Sequence, residues 1–243
     1  ALTRGTSITY VPKSAEEKKA ALLSAMEAWI KGMAQHPGLE RVTEWDVINE
    51  PIGDNSKWRG FDNTFMDGDS APVENEESGL TLNWGNEAGN GHFYWGYYIG
   101  KEYATKAFEY ARKYCSTGTK LYVNDYNLES SPNKLAALID FVQYIEDNGQ
   151  EVDGIGTQMH VSCYANAATQ KSKEEHVVQM FEILAASGKL VKISELDMGY
   201  IDENGTSVKT ENMTEAQHKA MAEYYKFIVK KYFEIIPAAQ QYG

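Results

Sequence analysis

Two glutamates stand in segments crowded with polar side chains: Glu50 in WDVINEP and Glu195 in ISELDM. Asn49 precedes the first, Asp197 follows the second two positions on, and Gln158 and His160 lie in DGIGTQMH. A single Glu at the end of a strand is more often a solvated charge or a cap partner than a catalyst, and a lone His there is more often structural. Two carboxylates, each inside a polar cluster, fit a different task. Glycoside hydrolysis needs one carboxyl to protonate the leaving oxygen and a second to attack, or to activate water at, the anomeric carbon. In such a site Asn49 is suited to hydrogen-bond a sugar hydroxyl, ideally the 2-OH. His160 is suited to hold the nucleophile, and Asp197 to fix the tautomer of His160. If extended backbone persists, Gln158 and His160 point one way, as do Glu195 and Asp197.

These residues must be carried to one place by the elements around them. Ser14 with Glu17 forms a capping-box pattern ahead of Leu22, Met26, Trp29, Ile30 and Met33 at helical spacing. The same reading predicts helices after Ser131–Pro132, ending near Gly149; after Ser172 with Glu175, ending near Gly188; and after Thr214 with Gln217. A further helix is predicted from about Phe93 to Tyr114. Between them, segments rich in β-branched and aromatic residues predict strands at Glu44 to Asn49, Lys120 to Asn124, Val152 to Gln158 and Leu190 to Leu196. Strands alternating with helices imply a parallel sheet. Each strand ends in chemically capable residues and begins in unremarkable ones, as the catalytic mouth of a (β/α)8 barrel requires. A doubly wound sheet alternates in the same way, but none of the four strand ends carries its glycine-rich nucleotide turn. The favoured fold class is therefore α/β, a TIM barrel.

The chain has 243 residues and is 42% hydrophobic, enough for one large core and one domain. Lys and Arg number 23 against 35 acidic residues, a net charge of -12 that opposes general attraction to nucleic acid or anionic membrane. A neutral substrate fits this balance. No apolar run approaches the roughly 18 residues of a membrane span. Cys115 and Cys163 lie far apart without metal-ligand spacing, which leaves buried free thiols as the plain reading. Pro51 to His92 reads as one long loop, functional by its length. Its DGD at 67–69 and ENEE at 74–77 lack the spacing of a recognised calcium loop, so a solvated acidic loop is the simpler reading and no metal is assigned.

Four motifs in order, WDVINEP, LYVNDYN, DGIGTQMH and ISELDM, resemble those of the family 10 glycoside hydrolases, chiefly endo-β-1,4-xylanases. The Asn-Glu-Pro element alone is shared by many barrel glycosidases; the other three at this order and spacing are more specific. The resemblance implies endo-acting, retaining hydrolysis of xylan without a cofactor, with Glu50 as acid/base and Glu195 as nucleophile. It implies sugar or nucleophile contacts for Asn49, Gln158 and His160, and a supporting place for Asp197. Tyr126 and Asn127 would lie on the leaving-group side of the groove, Tyr126 offering a ring face to a pyranose, although core packing is an equal reading of that ring. A β-1,4-glucanase, a mixed-specificity relative or a non-catalytic polysaccharide binder are the alternatives.

The resemblance covers nearly all of this chain but only about barrel strands four to seven with their helices. It implies a catalytic-domain fragment, with the first three strands and the last lying in remaining barrel segments of a longer protein. An extracellular, periplasmic or cell-surface address is expected from the substrate alone.

Overall fold

The computed structural model describes residues 13–39, 41–62, 64–65 and 93–242, together with the backbone of 2–4 and 7–9. The DGD and ENEE stretches and Trp84 lie outside the described residues.

Helix α1 (Ala15–Ala34) starts at the Ser14/Glu17 capping box, with both reciprocal hydrogen bonds in place. Strand β3 (Glu44–Asn49) follows the short antiparallel pair β1 (Leu2–Arg4) and β2 (Ser7–Thr9) and α1. The single helix predicted from Phe93 to Tyr114 is two helices, α2 (Trp95–Ile99) and α3 (Glu102–Tyr114). Gly100, at φ 88°, adopts a conformation open to glycine and closed to most other residues, and it breaks the run.

Then come β4 (Lys120–Asp125), α4 (Pro132–Asp147), β5 (Gly154–Thr157) and β6 (His160–Tyr164). The chain continues through α5 (Ala167–Ala186), β7 (Leu190–Ile193), β8 (Asp197–Ile201) and α6 (Glu215–Ile235). Helix α4 begins as read, with Ser131 Oγ accepting from Lys134 N at 3.2 Å and Pro132 in the first turn. Helix α6 carries the Thr214/Gln217 capping box. Helix α5 starts well before Ser172: Asn166 Oδ1 accepts from Thr169 N at 3.0 Å and caps it. The polar stretch between the two positions hides the first turns from a hydrophobic-period reading.

Strands β3, β4, β5 and β7 form one parallel sheet in that order, and β6 and β8 form a second parallel pair. The predicted strands at 152–158 and 190–196 are thus each shorter than read, and each resumes after a kink. One register row of the sheet is apolar: Ile48, Val123, Ile155 and Val191. It lies in the same core as Phe108 of α3, Leu135, Leu138 and Phe141 of α4, Phe181 of α5 and Ile228 of α6. Complete burial of such side chains contributes roughly 1.5–3 kcal/mol each.

The next row toward the C-terminal ends is polar or glycine: Asn49, Asn124, Gly156 and Lys192. This row lies on the face opposite the helices, and β4 is buried at nearly every position, as the wall of a filled barrel is. The glycines leave room for neighbours across the strands. A Cβ on Gly154 would lie 2.1 Å from Tyr122 Cε1, and one on Gly156 would lie 2.4 Å from Asn124 Oδ1. The described residues make an α/β partial barrel wall of four parallel strands. Gln241 opens a further parallel bridge to Val191, with Val191 N donating to Gln240 O at 2.8 Å.

Candidate active site

A register shift between Asp46 and Ile48 decides where Asn49 points. Asp46 faces Tyr122; with Val47 as the extra residue, Ile48 faces Val123 and Asn49 faces Asn124. Without the bulge, strand alternation would turn Asn49 into the apolar row against the helices. Glu50 follows at φ 53°, in the left-handed region, and its N–H still donates to Asn124 O at 2.7 Å.

In a parallel sheet all C-terminal strand ends lie on one edge, and there the predicted residues meet. Glu50 Oε1 accepts from Gln158 Nε2 at 3.1 Å and from Asn49 Nδ2 at 3.4 Å. Asn49 Oδ1 accepts from Gln158 Nε2 at 3.2 Å and Asn124 Nδ2 at 2.9 Å. Asn124 Nδ2 also donates to Glu195 Oε1 at 3.0 Å. Glu50 and Glu195 therefore belong to one hydrogen-bonded network, spanned by Gln158, Asn49 and Asn124. The Glu50 side chain is 26% exposed and that of Glu195 43%, so both are supported from below and open above.

His160 stands on the other side of Glu195. Its Nε2 lies 3.4 Å from Glu195 Oε2, and its Nδ1 lies 2.9 Å from Asp197 Oδ1. The hydrogen bond to Asp197 holds the imidazole pKa above its ordinary value. The Asp197 and Glu195 charges add to this and partial burial opposes it. With a carboxylate at each nitrogen, a doubly protonated ring donates to both.

Continuous extended backbone is not how Gln158 and His160 reach the site. Met159 between them is left-handed at φ 59°, and β7 bends at Glu195 before β8 resumes at Asp197. His160 and Asp197 then face each other as register partners of β6 and β8. Tyr126 lies nearby with its hydroxyl accepting from Arg59 Nη2 at 2.8 Å, and Lys134 Nζ sits 3.4 Å from the ring centroid. Asn127, at φ 57°, turns the chain toward α4, its carbonyl accepting from Ser130 N and Ser131 N. It makes no hydrogen bond to the carboxylate network among the described residues.

Three site residues escape a sequence reading. Asn124 holds both Asn49 and Glu195, and its amide orientation is set by Ser194 Oγ, which donates to Asn124 Oδ1 at 2.7 Å. Its position in LYVNDYN, one strand residue after the apolar Val123, was the available signal. Arg59 and Lys134 sit in a loop and at a helix start, where nothing in the sequence marks them.

A parallel β/α wall with two carboxylates joined at its C-terminal edge is the architecture of a barrel glycoside hydrolase. The description "Glycosyl hydrolase family 10" belongs to the family whose sequence pattern matches residues 7–239, and the chain belongs to that family. An endo-β-1,4-xylanase, Xyn10C, of Cellvibrio japonicus is 28% identical over 226 residues, covering 91% of this chain and 32% of that protein. "Exoglucanase XynX" of Acetivibrio thermocellus is 27% identical over 209 residues, 86% of this chain and 14% of the other. The solved family 10 structure from Paenibacillus barcinonensis superposes with a TM-score of 0.65 at 23% identity, covering 95% of this chain and 56% of that one. The chain spans about half the length of such solved structures and less of the curated relatives.

Proposed function

We propose that this chain carries the two catalytic carboxylates of an endo-acting, retaining β-1,4-xylanase. The observation that carries the reading is the single network from Glu50 through Gln158, Asn49 and Asn124 to Glu195. Relatives named endo-1,4-β-xylanase support xylan as the substrate.

In the first step Glu50 gives its proton to the glycosidic oxygen as the bond to the anomeric carbon breaks, and a Glu195 oxygen bonds that carbon. In the second, Glu50 takes a proton from water, the water oxygen attacks the anomeric carbon, and Glu195 leaves as carboxylate. Asn124 and His160 hold the two Glu195 oxygens, Asp197 orients His160, and Asn49 contacts the 2-OH. Gln158 steadies Glu50 and Asn49 together. Tyr126 and Asn127 border the leaving-group side, with Lys134 already covering one face of the Tyr126 ring. The groove is completed by further barrel segments, no cofactor is used, and an extracellular, periplasmic or cell-surface address suits the polymeric substrate.

A second reading is favoured by the relatives named exoglucanase and celloxylanase: cleavage of β-1,4-glucan at the same site. Rates on aryl β-xylobioside and aryl β-cellobioside separate the two.

The test of the catalytic assignment is Glu195→Ala with an activated aryl β-xyloside and azide. Rescue that yields the α-glycosyl azide supports Glu195 as nucleophile. Unchanged xylan hydrolysis by the mutant removes the assignment, whereas a wild-type protein that binds xylan and never cuts it is the non-catalytic binder.

A further inference from the structure

Arg59 has no part in the reaction just described, yet it is buried to 8% exposure beside Glu50. Its place is built by a fold-back of the chain. Ile52 and Trp58 form an antiparallel bridge, Arg59 N donates to Pro51 O at 2.8 Å, and Ile52 N donates to Asp125 Oδ2 at 3.1 Å. The guanidinium then reaches two groups: Nη2 donates to the Tyr126 hydroxyl at 2.8 Å, and Nη1 donates to Glu50 Oε2 at 3.5 Å. Its Nε is buried without a hydrogen-bond partner among the described residues.

Tyr126 is itself immobilised from below. Lys134 Nζ lies over its ring, and that ammonium is tied to Asp125 Oδ1 at 3.1 Å and Asp54 Oδ1 at 3.2 Å. Burial keeps the Tyr126 phenol above its ordinary pKa, so it remains a neutral acceptor for Arg59.

An arginine that served only to hold the loop would need the short bond to Tyr126 and nothing more. Here the rest of the fork is turned to the carboxyl oxygen of Glu50 that Gln158 and Asn49 do not occupy. We infer that Arg59, anchored by Tyr126 above the Lys134–Asp125 pair, is a positioning residue for Glu50. It fixes the direction of the carboxyl and faces the negative charge left there when the proton has moved to the glycosidic oxygen. This rests on the acid/base reading of Glu50.

The test is a leaving-group series of aryl β-xylobiosides with Arg59→Met, Arg59→Lys, Tyr126→Phe and Glu50→Ala. A dinitrophenolate leaves without protonation and a phenolate does not. For Arg59→Met, kcat/KM on the phenyl substrate and on xylan should fall on the order of 10- to 100-fold, a fraction of the 10²–10⁴ supplied by acid–base catalysis. On the dinitrophenyl substrate it should fall less than about 3-fold. Arg59→Lys should recover part of the loss, and Tyr126→Phe should show the same pattern weakly.

An equal loss on every leaving group, or no loss, overturns the inference. If Glu50→Ala itself shows no leaving-group dependence, the acid/base reading fails instead. A crystal structure of Arg59→Met reads the same point without turnover: Glu50 should swing away from Gln158, and an unmoved Glu50 overturns the positioning role.

Discussion

Replacing Lys134 by Met tests how much of the site's support hangs on one buried ion pair. Lys134 and Asp125 are both fully buried, with Nζ 3.1 Å from Oδ1. At an effective dielectric near 20 the pair attraction is about 5 kcal/mol, against which stands the ammonium's own desolvation. Removing the cation leaves Asp125 with two backbone donors, Ile52 N at 3.1 Å and Tyr126 N at 2.9 Å, too few to compensate a buried charge. The expected loss is about 3–5 kcal/mol, or roughly 6–20 °C in Tm for a chain of this size.

The pH dependence gives a second handle. Burial already pushes the Asp125 carboxyl above the usual range, opposed first by the Lys134 charge. A raised carboxyl pKa penalises the folded state at pH values above it, and the penalty is absent below the unfolded value of about 3.9. Without Lys134 that window extends upward, so the mutant's deficit should shrink as pH falls from 7 toward 4. Urea unfolding of Lys134→Met, Asp125→Asn and the double mutant measures both effects, and the double mutant should lie within about 1–2 kcal/mol of wild type. A single-mutant loss under about 1 kcal/mol at pH 7, or a double-mutant loss equal to the sum of the singles, refutes the reasoning.

Three other outcomes follow from the geometry of the site. In an NMR titration the His160 ring should titrate above the ordinary value of about 6.5, and Asp197→Asn should lower its midpoint by removing the largest cause; an unmoved midpoint would show that Asp197 does not set it. The stabilising effect of the raised pKa is full below 6.5 and disappears as pH rises through the folded value, so any stability deficit of Asp197→Asn should be larger at pH 5.5 than at pH 8.5. Gly156→Ala should cost about 1–3 kcal/mol by overpacking and lower xylan turnover as well, because its Cβ would strike Asn124 Oδ1 at 2.4 Å and disturb the hold on Glu195. Destabilisation in urea with unchanged kcat would show that Asn124 is not needed to hold the carboxylate.

The parts of this fold that were legible in sequence are those with local causes. Ser14, Ser131 and Thr214 act on their own next turn, so α1, α4 and α6 begin where their caps predict. The predicted boundaries of β3 match the strand, and the polar strand ends mark the site edge because parallel strands finish together. What stayed hidden depends on partners distant in the chain. The extra residue at Val47 has meaning only against β4, and Arg59 only against Tyr126. Lys134 reads as an ordinary helix-start lysine until Asp125 and Tyr126 close over it. The resumption of the strands as β6 and β8 was missed because the kinks at Met159 and Glu195 carry no glycine or proline to announce them.

Irregular backbone of this kind shapes the whole strand-end edge that carries the carboxylate network. Glu50, Asn127 and Met159 are left-handed non-glycine residues, each at or just beyond the end of β3, β4 or β5. The conformation costs roughly 1–2 kcal/mol for a residue with a side chain, and glycine would relieve it. Yet Met159 is fully buried in the core, a contribution of about 1.5–3 kcal/mol that glycine would forfeit. Asn is among the residues that tolerate the left-handed region, and Asn127 there accepts the two N–H groups that lead into α4. At Glu50 the side chain is the functional group itself on the present reading. The bulge before it turns Asn49 onto the polar row, and the left-handed backbone of Glu50 itself starts the fold-back that returns Arg59 to the same carboxyl. The bulge at Val47 and the left-handed backbone of Glu50 thus set the directions of Asn49, Glu50 and Arg59 together, which gives the irregular backbone at this strand end a use that regular extended geometry could not supply.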